Sequence, residues 1–347
     1  MNDLLFFDST LRDGSHAVSH QLSAEQISNY CEKIDGSGLN VVIVGHGNGL
    51  GASSLQVGLS ALSDEKMLRC AREKLKKTRL GVFLIPGFGT IKDDLGPALD
   101  LGVDLVCVAC HCTEADVTAQ HIDYVRQRGK EAHGVLMMYH MATKERLLAE
   151  AGKMQSYGAQ GIMLMDSAGA SDPRMVEDTV RHLSAHLTVP VGFHAHNNLG
   201  LAVGNSFTAI KAGAKIIDGT IRGFGAGAGN CQLEVLAGLL TKVKIETGLN
   251  LYQLMDVSDQ VVAGIMKKPQ EIDSVALISG LAGVFSGFAK HVKRAAEQFH
   301  VDPRDIFIEL GKRKMVAGQE DYIVDVAMYL AGRKKAEGES YDIGSLL

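Results

Sequence analysis

The chain has 347 residues, 46% of them hydrophobic and 22% charged, with a formal net charge of −5. That is enough for a large domain of ~250 residues plus a smaller one; the acidic balance leaves no basic footprint for nucleic acid, and no stretch reaches the ~20 apolar residues that span a bilayer. The N-terminus lacks a basic n-region, so no secretory signal is expected, and Cys31, Cys70, Cys107, Cys110, Cys112 and Cys231 fall mostly in predicted strands or helices, as the reduced core thiols of a cytoplasmic protein do.

Short apolar runs at 4–7, 41–44, 80–84, 105–109, 132–138, 161–165, 191–194 and 216–221 read as strands. Amphipathic stretches at 24–37, 64–77, 90–101, 114–128, 143–157, 173–186, 199–212 and 233–247 alternate with them and read as helices. Ser23, Ser63, Thr143 and Asp172 (before Pro173) are start signals, and Gly38, Gly102, Gly158 and Gly213 are stop signals. Eight such units, with strands apolar on both faces, predict an α/β fold of the (β/α)8 TIM-barrel class over residues 1–255. Beyond that, 257–266, 274–287, 289–299, 303–314 and 321–333 read as helices with no strands between them, a smaller all-helical C-terminal domain over 256–347 that ends in a mobile tail at 333–339. The small residues of 278–287 suit close helix packing, internally or against a partner, and an oligomer is expected.

In such a barrel, chemistry gathers at the C-terminal ends of the strands. The first strand leads into Asp8-Ser-Thr-Leu-Arg12-Asp13-Gly14, and the seventh ends in His194-Ala-His196. Two imidazoles two residues apart on a strand share a face, and with Asp13 they form a partial ligand set for a divalent metal. Arg12 suits an anion that forms against that metal. His16, three residues past Asp13, is the candidate general base. Ser167, after the sixth strand, either donates to a substrate carboxylate or caps a turn. The run Gly223–Asn230 has the glycine content of a phosphate or carboxylate loop, a weak signal. Cys107-Val-Ala-Cys110-His111 matches a haem-attachment string, but strand alternation points its two thiols to opposite faces.

These motifs resemble the superfamily of isopropylmalate synthase, homocitrate synthase, hydroxymethylglutaryl-CoA lyase and the pyruvate carboxylase transferase domain. Gly45-His-Gly-Asn-Gly-Leu-Gly-Ala-Ser-Ser54, His111-Cys-Thr-Glu-Ala-Asp116, Gly225-Ala-Gly-Ala-Gly-Asn230 and Gly318-Gln-Glu-Asp-Tyr-Ile-Val-Asp-Val-Ala327 are similar more narrowly to the 4-hydroxy-2-oxovalerate aldolases, over nearly the whole chain. The resemblance implies metal-dependent retro-aldol cleavage of a 4-hydroxy-2-oxo acid to pyruvate and an aldehyde, in aromatic hydrocarbon catabolism. It implies Mn2+, with Co2+ or Mg2+ as alternatives, on Asp13, His194 and His196; substrate against Arg12, Asp13, Ser167 and His194; and His16 and Arg12 as catalytic groups. It also implies an acylating aldehyde dehydrogenase, docked through the C-terminal helices, that receives the aldehyde.

Three positions depart from the family pattern. Phe285 stands where a tyrosine usually borders the aldehyde end of the substrate, so the hydrogen bond bearing on C4 stereochemistry is missing. Phe83 replaces a smaller aliphatic residue, expected to reshape the aldehyde pocket, and Asn48 replaces an aspartate. Two competing readings are an acyl-CoA-dependent condensing transferase of the same superfamily and a catalytically weakened scaffold subunit for a dehydrogenase.

Overall fold

The apolar runs become eight parallel strands: β1 Leu5–Asp8, β2 Val41–Ile43, β3 Arg79–Leu84, β4 Leu105–His111, β5 Glu131–Met137, β6 Ile162–Asp166, β7 Val191–Ala195 and β8 Ile216–Gly219. Each pairs with its successor, and β8 closes on β1 with Leu5 opposite Ile216 and Asp8 opposite Gly219. The computed structural model describes residues 4–316 and 318–337.

Strand alternation sorts each run into two layers. Phe7, Val41, Ile43, Phe83, Leu105, Cys107, Val135, Met163 and Ile216 fill the barrel interior. Phe6, Val42, Val82, Val106, Val108 and Leu164 face outward under the helices. Cys107 lies in the inner layer and Cys110 in the outer one, so they do not share a site.

The expected helix starts are present. Ser23 forms a reciprocal capping box with Gln26, and Ser63, Thr143 and Asp172 each accept a backbone N–H of the first turn. Other boundaries move. The stretch 90–101 is a wide turn at Ile91–Leu95 followed by the short helix Gly96–Asp100, and 114–128 opens with a tight turn at Ala115–Thr118. The helix expected over 233–247 stops at Lys242.

Asp8 is buried at the end of β1, accepting from Thr10 N at 2.9 Å and from the Tyr30 hydroxyl at 2.6 Å. Burial pushes its carboxyl up to about 6, against the pull of those hydrogen bonds. An acid held more protonated in the fold than in the unfolded chain stabilises fully below its unfolded value and loses that contribution as pH rises through its folded one. Asp8→Asn has no such group. Its stability relative to the parent, read by denaturant titration, is therefore expected to improve by on the order of 2–3 kcal/mol from about pH 4 to about pH 7. A gap that does not move with pH would remove Asp8 from the account.

The seam between the two units differs from the expected one. Helix Leu251–Val257 and the turn Ser258–Val262 pack on the barrel helices Ala24–Ile34 and Leu233–Lys242, and Leu254, Val257, Val261, Val262 and Ile265 belong to the barrel's core. A second core begins only at Val275 and is built from helices Ser274–Leu281, Ala289–Phe299, Pro303–Lys312 and Tyr322–Glu337. Residues 256–265 thus pack with the barrel because their apolar side chains complete its outer layer. The helix expected to run from 274 to 287 ends at Leu281, with a tight turn at Ser286–Phe288 beyond it. Residues 333–337 continue the last helix instead of starting a tail; 338–339 lie outside the described residues.

Candidate metal centre and active site

The strand ends carry the chemistry to one rim. After β1 the chain turns through Ser9–Arg12 into a short helical turn at Asp13–Val18, β7 ends one residue before His196, and β8 contributes Asp218. One ligand atom each from Asp13, His194 and His196 lies within 4.8 Å of the others, and all three residues are buried. His196 Nε2 stands 3.7 Å from Asp13 Oδ2. His194 Nδ1 meets Asp218 Oδ2 at 2.8 Å, an arrangement that keeps the ring proton on Nδ1 and leaves the Nε2 lone pair for the site.

Arg12 binds Asp13 Oδ1 at 2.8 Å through Nη1, reaches Ser9 Oγ and the Gly47 carbonyl, and lies 4.6 Å above the Phe83 ring centroid. Its buried Nε has no partner among the described residues, so one donor is free for an anion. Burial alone would raise the Asp13 carboxyl, but the Arg12 guanidinium beside it, with His196 and His16, holds it well below the usual carboxylate range. Burial also pushes His196 down to about 3, although Asp13 pulls the other way, and lowers His16. These two imidazoles are therefore neutral near pH 7, the form that can offer a lone pair.

The donor chemistry fits a divalent cation. Two imidazoles and a carboxylate bind such ions and leave positions open for substrate oxygens. Asp13 and Asp218 against Arg12 give the pocket a formal charge of −1; a doubly charged ion turns it to +1, which a carboxylate substrate balances. Asn230 reaches the same lone pair: its Nδ2 lies 2.9 Å from His194 Nε2, where the amide and a cation compete for one atom, while its buried Oδ1 is without a partner among the described residues.

Asn230 and Asp218 are site residues that the sequence reading missed. The glycine run before Asn230 presses backbone against the cluster. A Cβ on Gly225 would fall 1.6 Å from Asn230 Oδ1 and 2.8 Å from Asp13 Oδ2, so only glycine fits. The available signal was position: an asparagine just beyond the eighth strand reaches the same rim as the histidines.

His16 Nε2 is 4.0 Å from Asp13 Oδ1 and is the least buried group of the cluster. Two further histidines brace it. His20 meets its ring edge-on at 5.0 Å, and His46 stacks on His20 at 3.7 Å. Burial holds His20 down to about 2 and His46 down to about 4, so the rings pack as neutral partners. Asn48 is buried in the same loop, with its N–H on His46 Nδ1.

Ser167 and Phe285 line a neighbouring cavity of about 350 Å³, walled by Ile85, Pro86, Phe88, His111, Met137 and Met138 among others. Arg12, Asp13, His16, His194 and His196 do not line it. The two regions adjoin because Met165 pairs with His194 and Asp166 with Ala195, which sets Ser167 beside His196 at the rim. Ser167 Oγ accepts from Met138 N at 3.2 Å and lies 3.5 Å from the Met165 carbonyl, so its proton is only loosely engaged. Phe83, expected at the aldehyde pocket, is not among the residues lining the cavity; its inward register on β3 places it in the barrel interior beneath Arg12.

Residues 3–261 match the HMGL-like family, and residues 270–332 match a DmpG-like communication domain. The chain is 56% identical over 332 residues to a 4-hydroxy-2-oxovalerate aldolase of Pectobacterium atrosepticum (96% of this chain, 97% of the relative). It is 54% identical over 326 residues to one of Spirochaeta aurantia (94% and 96%). Among solved structures, the carboxyl transferase domain of Rhizobium etli pyruvate carboxylase superposes with a TM-score of 0.80 at 15% identity, covering 96% of this chain and 61% of that one. The N-terminal domain of a putative aldolase from Bacteroides vulgatus gives 0.71 at 23% identity (86% and 98%). At those identities the solved structures speak for the fold alone.

Proposed function

The chain belongs to the HMGL-like family and, within it, to the 4-hydroxy-2-oxovalerate aldolases, and on that premise we propose how its residues divide the work of a lyase. The reaction is divalent-metal-dependent cleavage of a 4-hydroxy-2-oxo acid, of the 4-hydroxy-2-oxopentanoate type, between C3 and C4 into pyruvate and an aldehyde. The family membership removes the support for a condensing transferase or a weakened scaffold. One observation carries the assignment of residues: Asp13, His194 and His196 present ligand atoms within 4.8 Å of one another, beside a buried arginine.

Asp13, His194 and His196 hold the ion, which in our reading is Mn2+, with Co2+ or Mg2+ able to take its place. When bound, it supplies a Lewis acid for the 2-oxo group. His16, neutral and at the rim, takes the proton of the C4 hydroxyl. The C3–C4 electrons then pass to the pyruvate fragment as its enolate, and the aldehyde leaves. Arg12 is fixed by Asp13 and Phe83 before the reaction begins, so its charge meets the forming anion without rearrangement. Ser167 offers its hydroxyl to the substrate carboxylate, and a proton delivered to C3 completes pyruvate.

Phe285 and the two methionines give the aldehyde side an apolar wall with no hydroxyl at position 285. The communication domain points to an aldehyde dehydrogenase as the partner, in our reading an acylating one that takes up the aldehyde. Leu277, Leu281, Met328 and Tyr329 are exposed apolar groups on that unit that support docking there. The six buried, unpaired cysteines support a cytoplasmic setting.

The test uses the purified protein with Mn2+, pyruvate and a panel of aldehydes. Carbon–carbon bond formation is expected, to disappear on chelation and to return when the ion is restored. Absence of product with every aldehyde, or full activity after chelation, would overturn the reading.

A further inference from the structure

Asn198 lies two residues past His196 and is completely buried, yet none of the roles assigned above uses it. Its amide joins three segments. Nδ2 donates to the Ala276 carbonyl at 3.0 Å and lies 3.5 Å from Ser279 Oγ, both on helix Ser274–Leu281. Oδ1 accepts from Ser286 Oγ at 2.9 Å. A carbonyl cannot donate, so the contact with Ala276 fixes which end of the amide is nitrogen. Ser286 in turn donates its N–H to the Ser167 carbonyl at 3.3 Å, and the residue before it is Phe285, in the cavity wall.

The fit at this point is close. A Cβ on Gly280 would stand 2.9 Å from Asn198 Cβ, so the helix approaches only because that position is glycine. One side chain thus spans the strand end that bears the metal ligands, the helix of the second unit and the segment carrying the aldehyde-side wall.

We propose that Asn198 is a positioning residue that clasps the Phe285–Ser286 wall to the His194–His196 strand end and so holds the cavity in shape around the aldehyde half of the substrate. The inference rests on the aldolase reading above. It separates two halves of the chemistry. Enolisation of pyruvate needs the ligand cluster with Arg12, its base and the Ser167 hydroxyl; capture of an aldehyde also needs the wall. A wall freed from its clasp loses the second without the first, because misplacement near reacting atoms is felt strongly in rate.

The test compares the parent with Asn198→Ala, Ser286→Ala and the double variant. One readout is the KM for acetaldehyde in aldol addition, and the other is deuterium exchange at pyruvate C3 in D2O, followed by mass spectrometry. The KM is expected to rise by about tenfold in each single variant while exchange stays within about twofold. The double variant is expected to be no worse than about the poorer single one, since both remove one shared bond. Ser286→Thr, which keeps the hydroxyl, is expected to restore the parent's KM, and the Ser286 variants carry the test if Asn198→Ala does not fold. Parallel loss of exchange and addition, an unchanged KM, or additive losses would each overturn the clasp. A parent protein that neither exchanges nor condenses would overturn the aldolase reading and this inference with it.

Discussion

His196→Ala is expected to lose its divalent ion and its turnover together, with cleavage falling by at least about 10³-fold. Each of the three ligand residues is buried, and no other His, Cys, Asp or Glu among the described residues joins the cluster, so removing one leaves two. The milder Asp218→Asn keeps the ligands but weakens the carboxylate that fixes the His194 ring, and metal affinity is expected to drop by about 10–100-fold. Ion binding followed by calorimetry, beside the cleavage assay, checks both variants. Unaltered affinity in His196→Ala would show that the ion, if any, sits elsewhere.

His16→Ala is the second large effect. A positioned base contributes about 10²–10⁴-fold, so kcat for cleavage is expected to fall within that range while the affinity for the ion stays near the parent's. The separation follows from geometry: His16 stands 4.0 Å from Asp13 but is not part of the ligand cluster. Its replacement leaves His20 and His46 stacked, so the loop retains its packing. A variant that turns over within about threefold of the parent, on the scale where a lost base costs far more, would move the proton transfer to another group.

The barrel was legible in the sequence because its strands are short, apolar on both faces and regularly spaced, a pattern few folds other than a closed parallel sheet share. His194-Ala-His196 was legible for a related reason: polar residues at the end of an apolar strand have no packing role to explain them. Asp218 escaped because it sits inside the apolar run Ile216–Gly219, where its neighbours read as core. Asn230 was hidden behind glycines whose spacing suggested a different ligand. His20 and His46 come from two separate loops, and only the folded chain stacks their rings. The helix boundaries at Ile91–Leu95 and Ser258–Val262 were lost because wide turns keep the helical period while shifting its hydrogen bonds. Strand register, which the sequence does not show, turns Phe83 into the barrel interior beneath Arg12.

The cavity beside the metal ligands draws its wall from two hydrophobic cores, Met137 from the barrel interior and Phe285 from the C-terminal unit. Phe285 packs with Phe288 in the second core, whereas His194 and His196 ride on the first. Grafting the C-terminal unit of one relative onto the barrel of another would therefore exchange the Phe285 side of that wall and leave Met137 and Met138 behind.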